Sequence, residues 1–177
     1  MNNSIYLRPL AIEDAKVSYQ WRNNPDIWKY SRFVPTYTTT VETETKWLEE
    51  ALVRKDQVRF AICVENSHTY IGNVQLIKMN DIDAEFHLFI GDTNWWGRGI
   101  GRKSTNLLLN YAFLEKKLQK VSLEVHKDNS PAISIYNSQG FEDKDLSFPY
   151  NVMELTNMKY ITSQTHKYEK NYYAITP

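Results

Sequence analysis

The chain has 177 residues, one-domain size and enough to bury a substantial core. Lys plus Arg balances Asp plus Glu at 21 against 21, with no basic stripe, which argues against a nucleic-acid binder or a charge-driven membrane binder. No apolar run approaches the ~20 residues of a membrane span. The polar start Met1-Asn2-Asn3-Ser4 leads into no signal-peptide core, and the single cysteine, Cys63, suits a reducing compartment, so a soluble cytoplasmic protein is expected.

In chain order, Ser4 to Arg8 reads as a short strand ended by Pro9. Ile12 to Arg22 reads as a helix with acidic Glu13 and Asp14 at its positive end. Asn23-Asn24-Pro25 stops it, and Asp26 to Thr38 is an irregular, aromatic-rich loop with at most a helical turn. Thr39 followed by Glu42 fits a capping box for a second helix, striped by Trp47, Ala51 and Leu52 and reaching about Arg54. Three runs, Val58 to Val64, Thr69 to Met79 and Ala84 to Ile90, are joined by short turns and predict an antiparallel meander. Cys63 lies in the first of them, where a small buried hydrophobe is the natural reading.

The period then changes. Ile100, Ser104, Leu107, Leu108, Tyr111, Leu114 and Leu118 recur at helical spacing, giving a long helix from about Gly99 to Lys117. Val121 to Val125 is a short strand, and Asn129 to Ser138 a short helix closed by Gly140. Phe141 to Phe148 and Val152 to Ile161 read as a final pair of strands. Residues 1–162 therefore form a single mixed α/β (α+β) domain, a largely antiparallel sheet of six to seven strands flanked by about four helices. Residues 163–177 are a polar, tyrosine-rich tail.

The turn before the long helix is Trp96-Gly97-Arg98-Gly99-Ile100-Gly101, with three glycines in five residues. Glycine admits positive φ and close backbone approach, and a helix starting there directs unpaired N–H groups and a partial positive charge outward. Arg98, Arg102 and Lys103 add full charges at the rim, so the turn suits a phosphate. It lacks the Gly-Lys-Ser/Thr ending of a Walker A loop and the βαβ context of a dinucleotide fingerprint. Alone, such a turn is more often merely a tight connection.

Downstream stands Asn129-Ser130-Pro131-Ala132-Ile133-Ser134-Ile135-Tyr136-Asn137-Ser138-Gln139-Gly140-Phe141. With this block the chain resembles the GNAT superfamily of N-acetyltransferases, which pairs a Gln/Arg-x-x-Gly-x-Gly/Ala turn with an Asn-x-x-Ala-x-x-x-Tyr-x-x-x-Gly-Phe helix. Trp96 departs from the Gln or Arg of that pattern. In this, in Ala84-Glu85 and in Leu7-Arg8-Pro9-Leu10, the chain looks like the branch of ribosomal-protein N-terminal acetyltransferases. Trp21-Arg22-Asn23-Asn24-Pro25-Asp26-Ile27 is similar to enzymes acetylating nucleotide-linked amino sugars.

The resemblance implies the GNAT fold and acetyl-CoA as co-substrate, with no metal. It places the CoA pyrophosphate on Trp96, Gly97, Arg98, Gly99, Ile100, Gly101, Arg102 and Lys103. The strand before the turn would splay from its neighbour after a bulge, offering main-chain contacts at Phe89 and Ile90 to the pantetheine arm. Asn129 would bond that arm or cap its helix. Tyr136 would be the general acid.

Acetyl transfer to an amine of pKa ~10 needs a base or a proton-conducting water, and the leaving thiolate needs a proton. In Ala84-Glu85-Phe86-His87-Leu88-Phe89-Ile90, alternation puts Glu85, His87 and Phe89 on one face. Glu85 is then the candidate base, directly or through water, and His87 a lining residue of the acceptor cleft; a surface ion pair is the alternative. The acceptor site is expected from the N-terminal helices and loop, where Arg22, Asn23, Trp28, Tyr30 and Arg32 cluster. An Arg among aromatics suits a diphosphate and a ring, or simply a loop packed on the sheet.

The expected enzyme transfers acetyl directly, within a ternary complex, to a primary amine. A small amino sugar, often nucleotide-linked, stands ahead of a protein N-terminus, and polyamine behind both because no acidic cluster is visible. A non-catalytic acyl-CoA-sensing module and a nucleotide binder of another fold are the alternatives. The tyrosine-rich end and final strand pair raise a homodimer.

Overall fold

The computed structural model describes residues 4–32 and 34–164. Its strands are β1 (Ile5–Pro9), β2 (Val58–Val64), β3 (Tyr70–Ile77), β4 (Asp83–Ile90), β5 (Lys120–His126), β6 (Glu142–Asp145) and β7 (Tyr150–Thr156). They form one seven-stranded sheet in the order β1-β2-β3-β4-β5-β7-β6. Every neighbouring pair is antiparallel except β4 with β5.

The helices are α1 (Ala15–Arg22), α2 (Pro25–Trp28), α3 (Val41–Leu52), α4 (Ile100–Asn110) and α5 (Ser130–Gln139), with residues 157–164 helical as well. On one side of the sheet, Ile100, Leu108, Leu109 and Ala112 of α4 and its extension pack with Val74, Leu76, Phe86 and Leu123. On the other, Ala15, Trp21 and Leu48 from α1 and α3 cover Ala61, Cys63 and Tyr70. Cys63 is fully buried there, a packing residue. Just past the end of β4, Trp21 of the second layer lies against Gly91. A Cβ on Gly91 would sit 2.0 Å from that indole.

The structure departs from the expected elements at the α3 cap, in the long helix, and at β6 and β7. Thr40, not Thr39, caps α3, exchanging bonds with Thr43 rather than Glu42. Thr39 is taken, because Asn23 grips its N–H and its carbonyl at 2.8 Å each. The long helix is α-helical only to Asn110, and Tyr111–Glu115 form a π-turn closed by Lys116 N–H donating to the Tyr111 carbonyl. The wider turn seats Phe113 against Tyr160 at 5.0 Å and Tyr111 against Phe60 at 5.2 Å.

β6 is shorter than Phe141 to Phe148, a four-residue charged edge strand, which suits a position with one free side. β7 ends at Thr156 instead of Ile161. Thr156 faces Lys120, the first residue of β5, so no partner strand remains beyond it. Asn157 then turns the chain by donating to the carbonyls of Phe113 and Leu118 at 3.2 and 2.9 Å. The following helix drops Tyr160 into the core. Of the expected tail, residues 165–177 lie outside the described residues.

Candidate active site

The site begins where β4 and β5 part. They pair only through Asp83↔Lys120, Ala84↔Val121 and Glu85↔Ser122. Both strands continue, β4 to Ile90 and β5 to His126, without pairing. On its other edge β4 stays in unbroken register with β3 from Ile77↔Glu85 to Gly72↔Ile90. The opening is thus a wedge between two diverging parallel strands, with β4 in unbroken register against β3 as far as Ile90 and the Gly91 and Asp92 N–H groups both donating to the Ile71 carbonyl just beyond it. Backbone amides and carbonyls are obligatory hydrogen-bonding groups. The β5-facing edge of β4 beyond Glu85 therefore suits an extended ligand chain that takes the place of a strand. Near its end, the Trp96 indole donates to the Ile90 carbonyl at 2.9 Å.

The glycine turn closes the wide end of the wedge. Gly97 and Gly99 have φ of 71° and 77°, in the left-handed region, and a Cβ on either would meet nothing within 4 Å. Gly99 is the N-cap of α4, so the first N–H groups of an 11-residue helix open toward this bare backbone. Arg98, stacked 5.2 Å over Trp95, and exposed Arg102 and Lys103 surround it. A helix end with open glycine backbone and three cations fits a pyrophosphate. Asn129 caps α5, its Oδ1 accepting from the Ala132 N–H at 3.3 Å.

Side chains approach the wedge from both faces of the sheet. From α5, Tyr136 packs edge-on against Phe86 of β4 at 5.8 Å and against Phe141 at 5.7 Å. It is buried, and burial pushes its phenol pKa well above the ordinary value. Among the described residues nothing hydrogen-bonds its hydroxyl. From the opposite face come Glu85 and His87. Glu85 Oε1 meets His87 Nε2 at 2.6 Å, and its Oε2 accepts from Lys78 Nζ at 2.6 Å. Partial burial raises the Glu85 pKa, but the Lys78 bond and the charge and bond of His87 outweigh it, leaving the carboxyl below its usual range.

The N-terminal residues divide into two groups. Arg22, Asn23 and Trp28 line one cavity of about 360 Å³ together with Pro25, Val34 and Tyr37. The Arg22 guanidinium bonds buried Glu44 and lies 4.4 Å over the Trp47 ring and 5.2 Å over that of Trp28. Asn23 holds Thr39, as described, and also the Tyr19 carbonyl. The Trp28 indole donates to the Trp21 carbonyl at 2.8 Å, and its ring rests on Phe89 of β4 at 5.2 Å. Tyr30 lies elsewhere, against His126 of β5 at 5.6 Å. Arg32 follows it across the wedge, pairing with Glu124 of β5 and stacking 4.3 Å over Tyr150 of β7.

Lys78, Glu44 and Glu124 escaped the sequence reading. Lys78 was within reach of it, since the Asn80-Asp81 turn folds β3 back on β4 and sets residue 78 beside 84 and 85. Arg32 and Glu124 are 92 positions apart, and no local pattern joins them.

Comparison with known proteins places the chain in a family. Residues 4–142 match the acetyltransferase (GNAT) domain family. The chain is 31% identical over 141 residues to the spermidine N(1)-acetyltransferase of Escherichia coli K12, covering 78% of this chain and 73% of that protein. It is 26% identical over 157 residues to the acetyltransferase PseH of Campylobacter jejuni, covering 87% and 94%. The structure of spermidine N-acetyltransferase from Vibrio cholerae in complex with CoA and spermine superposes with a TM-score of 0.80 at 25% identity, over 90% of this chain and 99% of that one. A strand wedge ending in a glycine-rich helix turn, with a family match across most of the chain, identifies it as a member of the GNAT family and an acetyl-CoA-dependent N-acetyltransferase.

Proposed function

We propose that the enzyme passes acetyl directly, with both substrates bound, to the primary amine of a small acceptor, and that this acceptor is an amino sugar, often nucleotide-linked. The observation that carries the chemistry is the wedge between β4 and β5, flanked by Tyr136 on one face and by the Glu85–His87 pair on the other. Acetyl-CoA supplies the activated thioester. The turn from Trp96 to Lys103 holds its pyrophosphate, and the main chain at Phe89 and Ile90 orients its arm. A backbone N–H on the open edge of β4 polarises the thioester carbonyl, a task that needs no side chain. The amine gives up its proton toward Glu85 and His87, and Tyr136 protonates the leaving sulfur. Burial keeps that phenol protonated at neutral pH. Fully buried Cys63 supports transfer without an acetyl-cysteine.

The acceptor assignment rests on the cavity lined by Arg22, Asn23 and Trp28. It carries a guanidinium and aromatic rings but no carboxylate, which suits a neutral or anionic ligand better than a polycation. Trp28 joins this cavity to Phe89 on the wedge. A polyamine is the second reading. Glu85, Glu124 and Glu154 share the face opposite α4, each paired with a cation that an ammonium would replace, and named relatives act on spermidine.

Thiol release from acetyl-CoA, measured with a UDP-linked amino sugar, spermidine and a peptide with a free N-terminus, separates these. Turnover is expected with the sugar. Turnover with spermidine alone selects the second reading, and with the peptide alone an N-terminal acetyltransferase. Acetyl-CoA binding without turnover on any of them selects the sensing module.

A further inference from the structure

We propose that the atom receiving the amine proton is Nδ1 of His87, and that Glu85, anchored by Lys78, is a positioning residue that fixes the His87 tautomer. This rests on the acetyltransferase reading above and assigns the proton path within it.

The geometry separates the two side chains. Both carboxylate oxygens of Glu85 are engaged, Oε1 by His87 and Oε2 by Lys78, each at 2.6 Å. Its side chain is 21% exposed. An amine reaching Glu85 must displace an ion pair. His87 is 42% exposed, uses Nε2 for Glu85, and its Nδ1 makes no hydrogen bond among the described residues. Glu85 is also the last residue of β4 paired with β5, whereas His87 lies two residues further on, about 6–7 Å along the open stretch. The imidazole is the member of the pair placed beside the wedge. A carboxylate accepting from Nε2–H leaves the Nδ1 lone pair outward and stabilises the cation that forms when Nδ1 takes a proton.

The other charged groups facing this pair are already matched. On β3 the cross-strand neighbour of His87 is Gln75, whose Oε1 accepts from Arg59 of β2. Across the wedge Glu124 of β5 is paired with Arg32, and Lys78 also feels its charge. On the α layer Glu44 is paired with Arg22. None of these offers a free base.

The step balances. The amine lone pair forms the N–C bond to the thioester carbonyl carbon, and the amine proton passes to His87 Nδ1. The C–S bond breaks with its electron pair on sulfur, which takes the Tyr136 hydroxyl proton. Solvent then removes the proton from His87 and returns one to Tyr136, so the products are the amide and the free thiol.

The test pairs long-range proton–nitrogen NMR of the imidazoles with pH–rate profiles, using spermidine and a UDP-linked amino sugar as probe acceptors. Wild type is expected to hold His87, assigned from His87→Gln, as the Nε2–H tautomer, and Glu85→Gln is expected to lose that single tautomer. His87→Gln should lower kcat ~10²–10⁴-fold with the acetyl-CoA KM unchanged and abolish the acidic limb of kcat/KM. Added imidazole should restore part of the rate to His87→Gly. Glu85→Gln and Lys78→Met should lose less and keep that limb. Wild-type His87 found as Nδ1–H overturns the proposal. So does a His87→Gln variant that keeps its rate and limb while Glu85→Gln loses both. If wild type acetylates neither probe, the acceptor reading fails by itself, and the tautomer still decides whether Glu85 positions His87 with Nδ1 outward.

Discussion

Arg22→Ala tests how much of the N-terminal layer hangs on one buried ion pair. Glu44 has a side chain only 3% exposed, and its carboxylate is held by Ser18 Oγ at 2.8 Å and by Arg22 Nε at 3.1 and 3.3 Å. Removing Arg22 leaves a buried charge with one neutral donor, a loss of ~3–5 kcal/mol. The guanidinium also stacks on Trp47 and Trp28, worth about 1 kcal/mol more. Arg59 lies 5.0 Å from the same Trp47 ring and keeps some positive charge near Glu44, which places the net effect in the lower half of that range. For a chain of this size ~3–4 kcal/mol lowers Tm by roughly 6–16 °C. Urea unfolding followed by tryptophan fluorescence should show a reduced midpoint with the slope unchanged. The double variant Arg22→Met with Glu44→Gln should recover much of the loss, because no charge is then left alone. An Arg22→Ala variant within about 1 kcal/mol of wild type would refute the reasoning, as would a double variant no better than the single one.

Tyr136→Phe should lower kcat by one or more orders of magnitude and leave the acetyl-CoA KM nearly unchanged; steady-state kinetics checks both, and an unaltered kcat removes the acid role. Burial raises this phenol above its ordinary value near ~10, so the folded state holds a proton that the unfolded chain has released. Its contribution to stability is complete below pH ~10 and is lost as pH rises from there toward the folded value. Urea midpoints taken between pH 9 and 11 should accordingly fall less in Tyr136→Phe than in wild type. Gly99→Ala puts a Cβ at φ 77° facing open space. It should cost ~1 kcal/mol of stability but weaken CoA binding disproportionately, read as the Kd from calorimetric titration with CoA, if the bare backbone meets the phosphates as proposed.

Much of this protein is readable locally. The meander, the short α5 with its Asn129 and Gly140 ends, and the glycine turn follow from period, capping and turn chemistry within a dozen residues. Alternation along β4 put Glu85, His87 and Phe89 on one face, because side-chain direction in a strand depends only on the pleat, and the packing of Ala84, Phe86, Leu88 and Ile90 with α4 agrees.

What the sequence could not express is which distant groups spend each other's charge. Arg22 and Asn23 read either as acceptor-site groups or as part of a loop packed on the sheet, and the structure ties Arg22 Nε to Glu44 of α3 and Asn23 to the Thr39 backbone. Carboxylates from β4, β5 and β7 come together only because the sheet order sets those strands side by side, so no acidic cluster is visible along the chain. The end of β7 was likewise decided by its partner, since a strand stops where the neighbouring ladder runs out. By itself the sequence determined the fold class, the family and the glycine turn at the start of α4, which rest on short-range backbone preferences and contiguous motifs. Only the tertiary structure decided where β4 leaves β5 and how Glu85, Lys78 and His87 bond beside that wedge, because both depend on how strands from different parts of the sheet are set against one another.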